Sequence, residues 1–481
     1  MKKYSIILIS LVLLFPLISH AEGIDKEKLK AEIKAELKKE LATQFREEIK
    51  AELKADMLKD QQKGVETVKA KEVVMKKDGL WVGDKVKFTG QARVRPEVRR
   101  NLTQSIPNVV ASTEEDLSVL LRNRFGLFFK PTDHVSFLVQ GQDSRDFGEE
   151  TAASPLAVGD DEGIDLHQGY IDITEIGRNP LMIRAGRQEV KLGEERLVGA
   201  VDWSNVGRSL DGALISYQPE NWGLTALAFV TNKTPTNTGD GQYFGGIYGT
   251  WKKFPSGVLD GYYFVLQDNN GATGAAAGTG DTLSVHTLGT RIASKFKNGI
   301  DVGVEGAAQL GKFGSNSVLA FAGHGALGYT FDANWKPRLG FEYNYATGDN
   351  STTARYTKFN NLFPTNHNKY GMMDLTPWSN MHDGAFIFSI KPGKFNASTG
   401  YHPLAVDKND SAGDIFAGFY AGGAGLGKIA GHEIDIQGKW IMNEYFEVGA
   451  GYGHFIPGPF LTDQGITEHS DFLYVSTQAQ F

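Results

Sequence analysis

The sequence contains no cysteine. That excludes disulfides, thiolate metal sites, a cysteine nucleophile and a lipidated N-terminal cysteine. After Ala21 there is no run of about twenty apolar residues, so no helix of the exported chain can span a bilayer. His167, His286, His324, His382, His402, His432 and His454 are scattered, without H-x-x-x-H or H-E-x-x-H spacing, and point to no metal site. No G-x-S-x-G is present, and nothing calls for a cofactor. The formal net charge of -7 is too mild to indicate a nucleic-acid partner.

What is present begins with an export signal. Met1-Lys2-Lys3 is a short basic region, Ile6 to Ile18 is apolar, and Ser19-His20-Ala21 offers a small-x-small cleavage site. Residues 1–21 therefore read as a signal peptide. Residues 22–64 read as a charged periplasmic segment, helical over 25–60, where ten basic and ten acidic residues alternate with Ala, Leu and Ile. Ile33 to Lys38 recurs as Ile49 to Lys54. Its apolar residues recur every four positions, a stripe that drifts around a 3.6-residue helix and is not a heptad seam. The segment is either a solvated helix or a contact for a periplasmic partner or a second copy. Residues 65–84 read as a linker.

From 85 to 481 the pattern changes to period two. In the last strand Leu473, Val475, Thr477, Ala479 and Phe481 fall on one face, while Tyr474, Ser476, Gln478 and Gln480 fall on the other. One face suits lipid and the other an aqueous lumen. Eighteen such strands are expected: 85–97, 116–130, 133–146, 164–176, 180–190, 209–219, 221–231, 242–254, 257–267, 282–296, 298–311, 317–331, 334–347, 383–392, 394–404, 430–442, 444–456 and 468–481. Short turns such as Pro131-Thr132-Asp133 and Pro392-Gly393-Lys394 follow the even strands, and longer loops such as 348–382 and 405–429 follow the odd ones. Short turns on one rim and long loops on the other indicate an all-β, antiparallel transmembrane barrel, closed by pairing the last strand with the first. The strand at 221–231 is apolar on both faces, and its alternation does not orient it.

With the charged face inward, Lys87, Arg93, Arg95, Arg122, Arg124 and Arg184 line the lumen, joined by Arg291, Arg338 and Lys439. Asp172, Asp301, Glu305, Glu342, Glu433 and Asp435 lie on the same face. The guanidinium fork matches carboxylates and phosphates, so these residues mark an anion path, with Arg93, Arg95, Arg122 and Arg124 on strands poor in luminal acids. The alternative is that the arginines pair with the acids and brace the wall. Arg187 falls on the opposite parity and suggests a bulge.

Several stretches resemble the alginate export family of outer-membrane porins. They are Leu121-Arg122-Asn123-Arg124-Phe125, Gly186 to Glu189 continuing through Leu192 to Gly199, Asp202 to Asp211, Asn361 to His367, Gly431 to Asp435, and Ala450 to Phe455. They extend over nearly all of 85–481. The resemblance implies an eighteen-stranded monomeric barrel whose electropositive pore passes an anionic polyuronate. The charged helix lies outside that family pattern.

The expectation is a non-enzymatic channel of the Gram-negative outer membrane, embedded in its lipid and passing an anionic saccharide or small anion. The alternatives are a general diffusion porin with weak anion preference and a barrel-embedded enzyme. For the enzyme, Ser204 and Ser209 near Arg208 are the serines to examine.

Overall fold

A computed structural model describes residues 73–76, 79–101, 115–147, 162–233, 241–269, 282–349, 355–409 and 425–481. The chain divides into Met1–Lys71 and Glu72–Phe481. The first unit, which holds the expected signal peptide and charged helix, lies outside the described residues.

The second unit is a closed antiparallel barrel of eighteen strands. In chain order they are β1 (Val86–Arg100), β2 (Glu115–Phe129), β3 (Val135–Asp146), β4 (Glu162–Thr174), β5 (Leu181–Gln188), β6 (Leu210–Tyr217), β7 (Trp222–Lys233), β8 (Gly241–Trp251) and β9 (Gly257–Asp268). There follow β10 (Leu283–Lys295), β11 (Ile300–Phe313), β12 (Asn316–Thr330), β13 (Arg338–Ala346), β14 (Met381–Ile390), β15 (Phe395–Val406), β16 (Ile429–Ile441), β17 (Phe446–Pro457) and β18 (Ser470–Gln480). Every strand pairs with its neighbours in sequence. β18 returns to β1 antiparallel, from Asp471 opposite Arg100 to Gln480 opposite Gln91. Phe481 and Gly90 then exchange both backbone hydrogen bonds at 2.9 Å. The Phe481 ring covers Gly90 so closely that a Cβ there would come within 2.4 Å of it. Closure leaves no open edge among these eighteen strands, as a strand-built membrane span requires.

The expected parity is observed. Arg93 and Arg95 are buried while Val94 between them is exposed, and Arg122 and Arg124 are buried while Phe125 is 68% exposed. On β18, Phe472 and Tyr474 are buried and Leu473 and Val475 are exposed. The two apolar faces of β7 also have a physical reason. Leu224 and Val230 face outward, whereas Leu227 and Phe229 are buried inside against other apolar side chains. This part of the lumen is filled with protein.

Three details differ from the sequence reading. β13 begins at Arg338, because Trp335 and Lys336 take positive φ (69° and 45°) in the turn before it. β11 and β12 are joined by Gly314-Ser315 alone, a tight turn on the long-loop rim. β5 has no bulge: its register to β4 and β6 is regular, and Arg187 faces outward, bonded to Asp211 at 2.7 and 2.8 Å. Within the stretch read as linker, Gly79–Val82 pairs with Val86, Lys87 and Phe88 of β1 and with Val73–Lys76, extending the sheet at the short-turn rim.

Candidate functional site

Two long connections fold into the barrel instead of over its rim: 189–209, between β5 and β6, and the described residues 355–380 of the connection between β13 and β14. Loops usually remain at the surface because their backbone polar groups need partners. These two supply each other. Val198 and Phe363 form a parallel bridge. Gly199 N–H donates to Phe363 O at 2.8 Å, Phe363 N–H to Leu197 O at 2.9 Å, and Thr365 N–H to Glu195 O at 2.8 Å. The Thr365 hydroxyl donates to Glu195 Oε2 at 2.7 Å and accepts from Val201 N–H at 2.9 Å.

Their apolar side chains supply the drive. Leu197, Val198, Phe359, Tyr370 and Trp378 pack with Leu227, Phe229, Phe244 and Phe264 of the wall. Each fully buried large apolar side chain contributes about 1.5–3 kcal/mol. The second loop is also pinned to β16, where Met373 N–H donates to Glu433 Oε1 at 2.8 Å and Met372 N–H to Asp435 Oδ2 at 2.9 Å. Gly371 precedes them at φ 103°, with its hydrogen facing the Glu433 carboxylate; a Cβ would come within 2.5 Å of it. The resemblance segments 186–199, 202–211, 361–367 and 431–435, far apart in sequence, thus meet in one lumen.

The first loop rests on the arginines of β1 and β2. Arg93 donates to Asp202 O at 2.8 Å and Ser204 O at 2.9 Å. Arg122, fully buried, donates to Asp202 O at 2.9 Å, Ser204 O at 3.0 Å and Gln91 at 3.0 Å, and lies 3.0 Å from the Asp202 carboxylate. Arg124 meets Gln142 at 2.6 Å, Asp202 at 3.1 Å and Glu189 at 3.2 Å. Arg95 bonds Glu97 at 2.5 Å and Trp203 O at 2.5 Å, and its guanidinium stacks 3.8 Å above the Trp203 ring. The other face of Trp203 is covered by His367, nearly parallel at 3.7 Å, and Tyr474 meets it edge-on at 4.8 Å. Apart from Glu97, a buried acid on β1 itself, these strands receive their carboxylate and carbonyl partners from a loop, which strand patterning could not reveal. Arg93 Nε and Arg124 Nη2 still have no hydrogen-bond partner among the described residues.

The other expected luminal cations lie apart from this cluster. Lys87 sits 5.3 Å from the Trp81 ring centre and 5.2 Å from that of Phe128, near the short-turn rim. Arg184 forks onto Asp172 at 2.6 and 2.8 Å, with Tyr170 stacked beneath it at 3.8 Å. Arg291 meets Asp260 at 2.5 Å and Glu194 at 3.1 Å. Arg338 forks onto Asp301 at 2.9 and 2.6 Å. These three are wall braces.

Sequence reading missed Arg196, on the first infolded loop. It is buried, with His324 at 3.1 Å, Asn344 at 3.4 Å, Glu194 at 3.6 Å and Glu342 at 3.9 Å. It also missed Asp202 and Trp203 as lining groups, although both stand in a quoted motif. With Arg93 and Arg95 they bound a cavity of about 510 Å³, whose lining also includes Lys391, Asn396, Ser398, Gln437, Lys439, Glu447 and Gln478. Burial works against the Asp202 carboxylate, yet Arg122 and Arg124 hold it down at about 2. Arg196 and Arg291 likewise hold the Glu194 carboxyl below its usual range against the effect of burial.

The serines have bracing roles. Ser204 offers its carbonyl to Arg93 and Arg122. Ser209 Oγ lies 3.4 Å from His167 Nδ1, and His167 Nε2 lies 2.8 Å from Glu189. Glu189 is also engaged by Arg124 at 3.2 Å and Lys191 at 3.5 Å, so the chain of groups ties the start of the 189–209 loop to its end.

The sequence model of the alginate export family matches residues 84–475. No curated relative matches the chain. Among solved structures, OccK5 (OpdH) of Pseudomonas aeruginosa aligns with TM-score 0.54 at 10% identity, over 83% of this chain and 98% of that one. OccAB1 of Acinetobacter baumannii aligns with TM-score 0.53 at 13% identity, over 86% and 99%. The outer membrane protein OprD of Pseudomonas aeruginosa aligns with TM-score 0.53 at 11% identity, over 82% and 93%. At these identities the likeness is one of fold.

Proposed function

Because the chain belongs to the alginate export family and folds as an outer-membrane porin, we propose that its lumen conducts anionic saccharides or small anions past Arg93 and Arg95. One observation carries this reading. Among the described residues, Arg93, Arg95, Arg99, Arg122, Arg124 and Lys191 share only three carboxylates, Glu97, Glu189 and Asp202, in the cluster beside the cavity. Carbonyl oxygens solvate the remaining positive charge without cancelling it. At an effective dielectric near 20, one uncancelled charge attracts an anion about 8 Å away by about 2 kcal/mol. That biases entry more than tenfold. The guanidinium fork also suits a uronate carboxylate. Lys87, Arg122 and Arg124 add to the same field, whereas Arg184, Arg291 and Arg338, also expected on the anion path, are offset by Asp172, by Asp260 with Glu194, and by Asp301.

A general diffusion porin with weak anion preference is the second reading. It is favoured by the pairing of Arg184, Arg291 and Arg338 with wall or loop carboxylates. Current block in planar bilayers separates the two. The anionic-saccharide reading expects oligouronates to interrupt the current at concentrations where neutral oligosaccharides of equal length do not. Equal block by both would leave only the general porin.

The same reading makes 1–21 a signal peptide, 22–64 a charged helical periplasmic segment and 85–481 the barrel, with 65–84 a linker only outside the strands Val73–Lys76 and Gly79–Val82. The helix over 25–60 is proposed to contact a periplasmic partner or a second copy. Cross-linking before and after its deletion tests this, and an unchanged pattern would end the idea.

A further inference from the structure

The outward faces of the two rims carry different chemistry. At the short-turn rim the exposed rings include Trp222, Trp251, Trp335 and Trp440. At the long-loop rim, three hairpins carry a tyrosine hydroxyl bonded to a histidine. Tyr263 Oη lies 2.7 Å from His286 Nδ1 across β9 and β10. Tyr343 Oη lies 2.7 Å from His382 Nδ1 across β13 and β14. Tyr401 Oη lies 2.9 Å from His432 Nδ1 across β15 and β16. Across β17 and β18 an aspartate takes the ring's place: Tyr452 Oη donates to Asp471 at 2.6 Å, and His454 Nδ1 lies 2.8 Å from the same oxygen. His454 Nε2 then meets His469 Nδ1 at 3.1 Å, and Arg100 stands 4.0 Å from Asp471.

The geometry repeats. Tyr263 is opposite Leu288, Tyr343 opposite Gly384, Tyr401 opposite Ile434 and Tyr452 opposite Leu473. In each hairpin the partner of the hydroxyl is two residues nearer the loop. The four tyrosines are between 38% and 46% exposed, and Leu288, Ile434 and Leu473 at their level are exposed apolar residues of the lipid-facing band. The histidines therefore stand just above the hydrocarbon, at headgroup height. An interfacial girdle accounts for tyrosine there. It does not account for a histidine held through Nδ1 in three separate hairpins.

We propose that this belt binds the phosphate groups of outer-leaflet glycolipids. A tyrosine hydroxyl donating to Nδ1 fixes the neutral tautomer with its proton on Nε2. Among the described residues, Nε2 of His286 and of His432 meets no protein acceptor, while that of His382 lies 3.7 Å from Asp407. Arg100, half-exposed beside His454 and His469, adds a cation near the β1–β18 seam. Several donors at one height suit a phosphorylated headgroup lying along the barrel.

The test uses the full chain reconstituted in phosphatidylcholine vesicles, with thermal unfolding as the readout. Bisphosphorylated lipid A is expected to raise the wild-type midpoint, whereas dephosphorylated lipid A and free inorganic phosphate leave it unchanged. His286→Phe/His382→Phe/His432→Phe keeps the aromatic area. It is expected to match wild type in phosphatidylcholine and to lose the lipid A increment. A full increment in that variant, or an equal increment from dephosphorylated lipid in wild type, would overturn the proposal. An increment from inorganic phosphate alone would overturn the assignment to lipid. If the triple variant fails to fold, Tyr263→Phe/Tyr343→Phe/Tyr401→Phe serves instead: a reduced increment supports the proposal and an undiminished one refutes it.

Discussion

Trp203→Ala is the substitution that most sharply separates a structural lining from a functional one. The ring lies between the Arg95 guanidinium at 3.8 Å and the His367 imidazole at 3.7 Å, with Tyr474 at its edge. A desolvated cation–π contact is worth about 2 kcal/mol and each aromatic pair about 0.5–1.5 kcal/mol. Together these give at most about 5 kcal/mol, an upper bound because Trp203 is only partly buried. The barrel ladder does not depend on this ring, so the loss falls on the 202–204 segment. Arg93 and Arg122 still hold that segment through its carbonyls. The expected outcome is a folded, heat-modifiable barrel with a larger single-channel conductance and more open-channel noise. Trp203→Phe should fall between, because it retains a smaller stacked ring. If Trp203→Ala folds and conducts like wild type, the ring is not part of the conducting cross-section and the cavity it lines is not the path.

Three further outcomes follow from the infolded loops. Thr365→Val removes one donor and one acceptor between the loops, at about 1 kcal/mol per hydrogen bond, so hydrogen exchange at the Val201 amide should quicken while the strands stay protected. Gly371→Ala places a methyl against Glu433 at a backbone angle that favours glycine; a cost of about 1–3 kcal/mol should appear as faster exchange at Met372 and Met373. For pH, the Asp202 carboxyl lies lower in the folded chain than its ordinary 3.8, at about 2. Its stabilisation is therefore complete above about 4 and is lost as pH falls toward 2. Channel noise should stay constant from neutral pH to about 4 and rise below that, and Asp202→Asn should lack that component of the rise.

Period-two alternation is local, so it made the strands, their parity and the closing pair of β18 with β1 readable from the sequence. Arg93 and Arg122 could be placed inward on the same ground. Their partners could not, because Asp202 and Ser204 sit on a connection whose path depends on Phe363 and Thr365, more than 150 residues away. One signal was available: apolar side chains such as Leu197, Val198, Phe363 and Trp378 are costly in a solvent-exposed loop. The two-sided apolarity of β7 was the same signal from the wall, where lipid covers one face and infolded loops the other. Arg187 shows the opposite limit. A charged residue on the outward face is tolerated at the rim when Asp211 pairs with it, so its parity required no bulge.

The central claim is that excess guanidinium charge in the lumen selects anions. The zero-current potential of the wild-type channel in a planar bilayer under a KCl gradient measures this directly. The expected sign is that of chloride permeating more readily than potassium, with the preference reduced in Arg93→Gln. A potential of the opposite sign, or one unchanged by Arg93→Gln in a folded and conducting channel, would contradict it.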